Sequence, residues 1–400
     1  MMTRNKQHHF TPGEELYGRI GRFQERLRAA GIDVALIIQN ADLFYFSGTC
    51  QDAHLLIPAQ GEPLLMVRKS YERALEESAL DRVVAVNSLV DIRNGINDFF
   101  KCKSRIGLEM DVLPANLFFR YKELLRPLEV VDVSEAIREI RMIKTPYEIE
   151  RLKESARLSS EMFRQVPAFL REGMTEVELA GRIELFLRER GHQGALRVRA
   201  FNQEAHMGHL MSGWSSACPS FFNGPTGGTG LNPSFPQSAG FKKIGRNEPI
   251  LVDFATAVNG YIADHTRIFS FGPLSDKLAK AHNISLEIKR LFIREAKPGA
   301  DGRILYDSAY KIAEDAGLAE QFMGYGSGVN FIGHGIGLEL DELPVIAKNY
   351  QIILQPGMAF ALEPKFVFPG EGTVGIEDTF VVTESGLEQL TGHDDSIQIL

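Results

Sequence analysis

Four hundred residues, 44% of them hydrophobic, are enough for two or three domains with sizeable cores. The net charge of −8 comes from 44 basic and 52 acidic residues mixed along the chain, with no basic block or aromatic–basic stripe, which excludes nucleic acid as a main partner. Cys50, Cys102 and Cys218 are too few and too scattered for a disulfide framework, and neither a signal peptide nor a long apolar run is visible. A soluble, cytoplasmic protein without membrane association is expected.

The chain starts with a polar segment in which His8-His9 reads as a frayed end rather than a metal site. Leu16, Ile20, Phe23 and Leu27 recur at helical spacing, and Gly31 closes that helix. Val34 to Ile38 reads as a buried strand. Leu55 to Ile57 and Leu64 to Val67 read as two strands joined by a turn at Pro58–Pro63, where Gly61 supplies the bend. A helix over Tyr71 to Ala79, a strand over Val83 to Val86 and a helix toward Phe100 follow. Next come a strand at Ile106 to Leu108, a helix opened by Pro114 and a strand from Leu128 to Val133. This alternation predicts an α/β domain with helices on both sheet faces, over residues 1–144. No catalytic constellation is visible in it. Asn40, Asp42, Phe44 and Tyr45 form a polar–aromatic loop, either an ordinary one or the lining of a neighbour's site.

RMIKTPYEIERLKESA marks a junction. Pro146 disfavours helix at Thr145, and a long amphipathic helix then begins, with Ile149, Leu152, Ala156 and Phe163 on one side. Thr175 to Glu178 is a capping box for a second helix, closed by Gly191. A long irregular stretch follows. In it Trp214 and Phe221-Phe222 either pack in a core or wall a pocket.

PILVDFATAVNGYIADHTRIFSFG then reads as a β-hairpin about an Asn259-Gly260 turn. That turn sets Val258 opposite Tyr261 and Ala255 opposite Asp264, so Asp253, two residues from Ala255, shares Asp264's side. Two converging acids are either a solvated polar face or the walls of a cation site. Val252, Phe254, Ile262 and Ile268 make both faces half-buried and favour the cation. Ser275 caps a helix that runs toward Ala296 and stops at Pro298-Gly299, and a further helix spans Ile304 to Ala316. The last hundred residues return to strands carrying His334, Glu363 and Glu377. Six glycines between Gly324 and Gly337 let backbone approach a ligand or metal.

Asp253, then Asp264 eleven residues on, His334 in FIGHGIGL, Glu363 in ALEPKF and Glu377 in VGIEDTFVV follow in an order that resembles metallopeptidase family M24. That is the family of methionine aminopeptidase, aminopeptidase P and prolidase. The layout is most similar to the aminopeptidase P, prolidase and creatinase branch. The resemblance implies an α+β protein: a creatinase-type α/β domain over residues 1–144, then a pita-bread catalytic domain over residues 145–400. It also implies that the five matching residues hold two divalent metal ions (Mn, Co, Fe or Zn), that the substrate is a small peptide, and that the protein is a homodimer. Two Asp, two Glu and one imidazole suit such ions better than a thiolate-loving metal.

Three positions depart from the family pattern. Asp341 stands where a His is usual seven residues after the metal His, NGPTGGTGLNPSFP lacks a His found before the hairpin, and Gly375 replaces an Arg. The metal machinery is kept and the substrate-handling side chains are rebuilt. His206 and His209, in EAHMGHLMSG, are candidate replacements. On a strand they face opposite sides, so at most one enters the site. The leading expectation is an Xaa-Pro aminopeptidase or dipeptidase in which Glu363 carries the proton from water to the leaving amine. Asp341, an acceptor only, would disfavour a carboxylate-bearing substrate and admit a neutral or cationic one. The alternative is a metal-dependent hydrolase or lyase of a non-peptide small molecule. A binding module descended from a dead enzyme is a third reading, against which five retained ligands argue.

Overall fold

Every side chain of Val34–Ile37 is buried, and that places the segment inside a sheet rather than at its edge. The computed structural model describes residues 9–100, 104–326 and 328–400; His8 and Cys102 lie outside the described residues. The chain divides into two units, Met1–Arg141 and Met142–Leu400.

In the first unit α1 (Gly13–Ala29) leads to β1 (Val34–Ile37), α2 (Asn40–Ser47), β2 (Ala53–Pro58) and β3 (Leu64–Val67). Then come α3 (Tyr71–Glu77), β4 (Val83–Ala85), α4 (Leu89–Phe100), β5 (Arg105–Leu108), α5 (Ala115–Leu124), β6 (Glu129–Asp132) and α6 (Ser134–Met142). The strands form one mixed sheet in the order β4-β3-β2-β1-β5-β6. Val34, Leu36, Leu56 and Met66 pack on Ile92 and Ile96 of α4 and on Tyr121 of α5. Residues that alternate with them, Ala35, Ile37, Leu55 and Ile57, are equally buried, as an α/β sheet with two covered faces requires.

The expected loop at Asn40, Asp42, Phe44 and Tyr45 is instead α2. The Gln39 side chain accepts a hydrogen bond from the Asp42 backbone N–H, and Gly48, at φ 77°, closes the last turn. Asp42 is buried against Arg141 at 2.6 Å. A helix apolar on nearly all sides lacks the periodicity that would have identified it.

The second unit opens with α7 (Pro146–Phe169) and α8 (Glu176–Glu189), each started by a capping box, the expected one at Thr175/Glu178 and a further one at Thr145/Glu148. After β7 (Gly208–Ser212) come β8 (Ile250–Phe254), β9 (Thr256–Val258), β10 (Tyr261–Ala263) and β11 (His265–Ser270). Then α9 (Asp276–Glu295) and α10 (Gly302–Asp315) precede β12 (Phe331–Gly335), β13 (Glu342–Ala347), β14 (Ala359–Leu362), β15 (Lys365–Phe368) and β16 (Gly372–Gly375). The last strands are β17 (Glu377–Thr383), β18 (Gly386–Gln389) and β19 (Gln398–Ile399). The main sheet runs β13-β12-β14-β17-β11-β8-β7, with β18 on β17 and β19 on β11. Helices α7 and α8 share one core with β7, β8 and β11. Helices α9 and α10 share another with β12, β14 and β17.

Two long hairpins make the centre of this sheet, and each bends out of it. The first has the register expected about Asn259-Gly260: Val258 faces Tyr261 in the ribbon β9–β10, and Asp253 faces Thr266 in the sheet. The bend falls at Ala255 and Asp264. Beyond it the ribbon is tied to α7, where the Ser155 hydroxyl donates to the Tyr261 carbonyl at 2.8 Å and accepts from the Val258 N–H at 3.1 Å. In the second hairpin Leu362 faces Asp378 in the sheet and Lys365 faces Gly375 in the ribbon β15–β16, so that bend falls at Glu363 to Ile376. Among the described residues no helix is long and apolar enough to cross a membrane.

Gly333 and Gly335, the glycines that flank His334, pack strand on strand. A Cβ on Gly333 would lie 2.6 Å from the Ala361 carbonyl oxygen, and one on Gly335 would lie 2.2 Å from that of Leu343. Gly335→Ala is therefore expected to lower stability by about 1–3 kcal/mol. Gly181→Ala, on an open face of α8, is expected to raise it by about 1 kcal/mol. Urea unfolding of both variants measures the pair; equal effects would contradict this account of Gly335.

Candidate metal centre

A row of side chains crosses four neighbouring strands. His209 on β7 is opposite Asp253 on β8, Asp253 is opposite Thr266 on β11, and Thr266 is opposite Glu377 on β17. Directly paired residues project from the same face of a sheet, so strand pairing alone brings these four together. Asp264 joins them from the first bend. Its backbone N–H donates to Thr379 Oγ1 at 2.8 Å, and that hydroxyl donates back to the Asp264 carbonyl at 2.9 Å. His334 comes from β12, where it faces Ala361 of β14. Glu363 sits at the second bend.

Asp264, His334 and Glu377, all buried, each offer a ligand atom within 4.8 Å of the others. The His334 Nδ1–H donates to the Leu340 carbonyl at 2.9 Å, which leaves Nε2, 3.7 Å from Glu377 Oε1, to face the cluster. A metal-binding histidine characteristically makes this arrangement, its other ring nitrogen held by a carbonyl. One free imidazole nitrogen and two carboxylates suit a borderline divalent ion, so these three residues fit a metal.

Lys365 lies among the remaining acids. Its ammonium donates to Asp253 Oδ2 at 2.9 Å, Glu363 Oε2 at 2.9 Å and Glu377 Oε2 at 2.8 Å, and its side chain is only 2% exposed. Burial pulls this amine toward neutrality, but the three carboxylates outweigh that and hold its pKa well above the ordinary lysine value. Burial also raises Glu363, partly offset by Lys365, to a pKa of about 7. For Glu377 burial pushes upward, yet Lys365 and His334 prevail and bring it to about 2. For Asp264 burial, then the charges of Glu377 and Asp253, outweigh the downward pull of His334 and Lys365 and push its carboxyl well above the usual range. Burial favours neutral His334, whereas its bond to Glu377 and the charges of Asp341 and Glu363 hold it well above the ordinary histidine value.

Behind the sheet a second buried group braces the same strands. Arg267 donates to the Glu377 carbonyl at 3.0 Å and to Asp378 Oδ1 at 3.0 Å, and Lys289 reaches Asp378 Oδ2 at 2.7 Å.

All eight predicted site residues line one cavity: Asp253, Asp264, His334, Glu363, Glu377, His206, His209 and Asp341. The two histidines do not divide as opposite faces of one strand, because His206 precedes β7. Its Nε2 lies 3.2 Å from Glu184 Oε1. Asp341 Oδ1 lies 3.5 Å from His334 Nδ1. Asn223 and Thr226, from the stretch without a His, form part of the wall. Phe222 meets the His209 ring edge-on at 4.9 Å, whereas Trp214 and Phe221 are about half exposed. Lys365 and Thr266 were not anticipated. Lys365 stands two residues after Glu363, the spacing that puts strand residues on one side, and that was the available signal.

Residues 150–384 match the family described as "Metallopeptidase family M24", and residues 19–143 match "Creatinase/Prolidase N-terminal domain". The chain is 27% identical over 362 residues to an Xaa-Pro dipeptidase of Pyrococcus furiosus, covering 90% of this chain and 93% of the relative. Among solved structures it is similar to an Xaa-Pro dipeptidase from Bacillus anthracis, with 27% identity, a TM-score of 0.83 and coverage of 96% and 100%. It is also similar to an X-Pro aminopeptidase from Thermotoga maritima, with 28% identity, a TM-score of 0.79 and coverage of 95% and 99%.

Both Asp264 and His334 bind protons more tightly than their free counterparts, and a metal requires both to be deprotonated. Ion binding therefore expels protons, and apparent affinity rises with pH. Titration calorimetry of Mn binding in two buffers of different ionisation enthalpy should give different observed heats. Identical heats would contradict the proton release.

Proposed function

Since the chain belongs to metallopeptidase family M24, in its Xaa-Pro aminopeptidase, prolidase and creatinase-like branch, we propose that it cleaves short peptides at the bond preceding proline. It is a metal-dependent hydrolase with the two-domain architecture of that branch, a creatinase-like domain followed by a pita-bread domain. One observation carries the substrate reading furthest. A metal-capable triad and a carboxyl group of pKa about 7 share the same cavity floor.

Glu363 is the proton carrier in this reading. A carboxyl of that pKa takes a proton from the attacking water and returns it to the leaving amine at neutral pH with little cost either way. Lys365 holds the carboxylate in place through a 2.9 Å hydrogen bond. A divalent ion on Asp264, His334 and Glu377 would polarise the scissile carbonyl and acidify the water. The family arrangement would add a second ion, with Mn, Co, Fe and Zn the candidate metals, and would use Asp253 and Glu363 as further ligands. A cytoplasmic homodimer completes the reading, in keeping with Cys50 and Cys218 as free thiols.

Glu363→Gln is expected to lower kcat on an Xaa-Pro peptide by about 10²–10⁴-fold. Full activity in that variant, or no activity of the Mn- or Co-loaded wild type on any Xaa-Pro substrate, would overturn the reading. The second outcome would favour the alternative, a metal-dependent hydrolase or lyase of a non-peptide small molecule. The rebuilt wall supports that alternative: Asp341 stands where the family pattern has a His, and the stretch that supplies Asn223 and Thr226 has none.

Asp341 bears on which peptides are taken. The cavity wall carries five acids, Lys365 is already shared by three of them, and His206 is paired with Glu184. A free C-terminal carboxylate entering this cavity meets repulsion from Asp341. Longer or amidated Xaa-Pro peptides should therefore be cleaved better than free dipeptides. Asp341→Asn should narrow the gap about tenfold in kcat/KM, equivalent to about 1.4 kcal/mol. Equal kcat/KM values for free and amidated substrates in the wild type would remove this role.

A further inference from the structure

Glu377 turns its two oxygens to two different places. Oε1 faces His334 Nε2 at 3.7 Å, on the side of the metal-capable triad's histidine. Oε2 accepts from Lys365 Nζ at 2.8 Å and from Thr266 Oγ1 at 2.8 Å. A carboxylate bridging two metal ions would give one oxygen to each. Here the second oxygen is taken by an ammonium.

The other acids repeat the pattern. Asp253 Oδ2 and Glu363 Oε2 each accept from the same Nζ at 2.9 Å. An ammonium has three protons, and three carboxylate oxygens receive them at the length of charge-assisted hydrogen bonds. A divalent ion ligated by these oxygens would stand roughly 2.0–2.2 Å from each, in the volume that Nζ fills. The residues present therefore fit one ion and do not fit the second that the family arrangement implies.

Neither is Lys365 a surface side chain that has folded inward. Its residue is 1% exposed, and its strand partner is Gly375. A Cβ at Gly375 would lie 2.7 Å from Lys365 Cα and 3.0 Å from Lys365 Cγ, so a glycine there makes room for the lysine stem. Gly375 is also the position where the family pattern has an arginine. The basic side chain now comes from the opposite strand of the ribbon.

We infer that each chain binds one divalent ion, at Asp264, His334 and Glu377, and that the Lys365 ammonium permanently replaces a second. Asp253 is then an anchor for Lys365 rather than a metal ligand, and Glu363 is free of metal. The inference rests on the metal-hydrolase reading and is separable from it.

The test is the metal count of Mn-loaded protein, by elemental analysis after desalting, together with its electron paramagnetic resonance spectrum. Wild type should hold one ion per chain, with the spectrum of an isolated ion. Lys365→Met, which keeps the stem and removes the charge, should hold two, with the spectrum of a spin-coupled pair. Lys365→Arg should remain at one. Two ions in wild type, or one in Lys365→Met, would overturn the inference and leave the hydrolase reading standing. No ion in wild type would remove both. Should Lys365→Met fail to fold, Lys365→Gly replaces it, and the wild-type count and spectrum still decide between one ion and two.

Discussion

Four carboxylates, those of Asp253, Asp264, Glu363 and Glu377, are packed into one buried patch, and the surrounding structure answers their repulsion. Two like charges about 4 Å apart cost on the order of 4 kcal/mol even at a generous effective dielectric. Positive charge therefore has to be built in or recruited. Lys365 supplies one cation from the chain, His334 can supply another, and the triad around Asp264 can recruit a third from solution. The pKa values record how unevenly this help is shared. Glu377, hydrogen-bonded by Lys365 and close to His334, stays ionised, whereas for Asp264 burial and the charges of Glu377 and Asp253 outweigh the pull of His334 and Lys365 and push it up.

The backbone achieves the convergence with two hairpins that bend where the acids sit. Asp253 and Asp264 flank the bend of one, and Glu363 and Glu377 flank the bend of the other. At a bend the ladder is interrupted, and side chains that would alternate between faces can turn toward a common point. Interruption has a cost in backbone hydrogen bonds, which Ser155 and Thr379 offset locally. On the far side Arg267, Asp378 and Lys289 lock β11 to β17 and to α9. Removing one member of such a buried ionic group typically costs about 3–5 kcal/mol. The site is thus held from behind by charges that never meet a substrate.

The wall of the cavity has changed more than its floor. Asp341 stands where the family pattern places a His, the stretch that supplies Asn223 and Thr226 lacks another, and where the pattern places an arginine, Gly375 lies beneath the Lys365 stem. His209 enters from β7 as the only one of the two candidate histidines within the cross-strand row. Its ring is kept neutral chiefly by burial and is fixed against Phe222. Floor and wall answer to different demands: the floor must balance charge whatever the substrate, and the wall must match the substrate alone.

The helices and the first hairpin were readable because their signals are local. Thr145/Glu148 and Thr175/Glu178 cap within one turn, and Asn259-Gly260 sets a register that holds through Asp253. The four acids and the histidine of the cavity floor, Asp253, Asp264, Glu363, Glu377 and His334, could be picked out by type and order. Helix α2 escaped because its burial on nearly all sides leaves no periodicity. At Gly333 and Gly335 glycine permits a close approach, but which strand approaches depends on residues far away in sequence. The same holds for the site's inner details. That His209 rather than His206 joins the row depends on where β7 begins and on its pairing with β8. That Lys365 inserts among three acids depends on Gly375, ten residues along the chain but directly opposite in the ribbon. Residue type and local spacing carry the chemistry a chain is able to perform; which charges actually touch is a property of long-range pairing, and no local pattern encodes it.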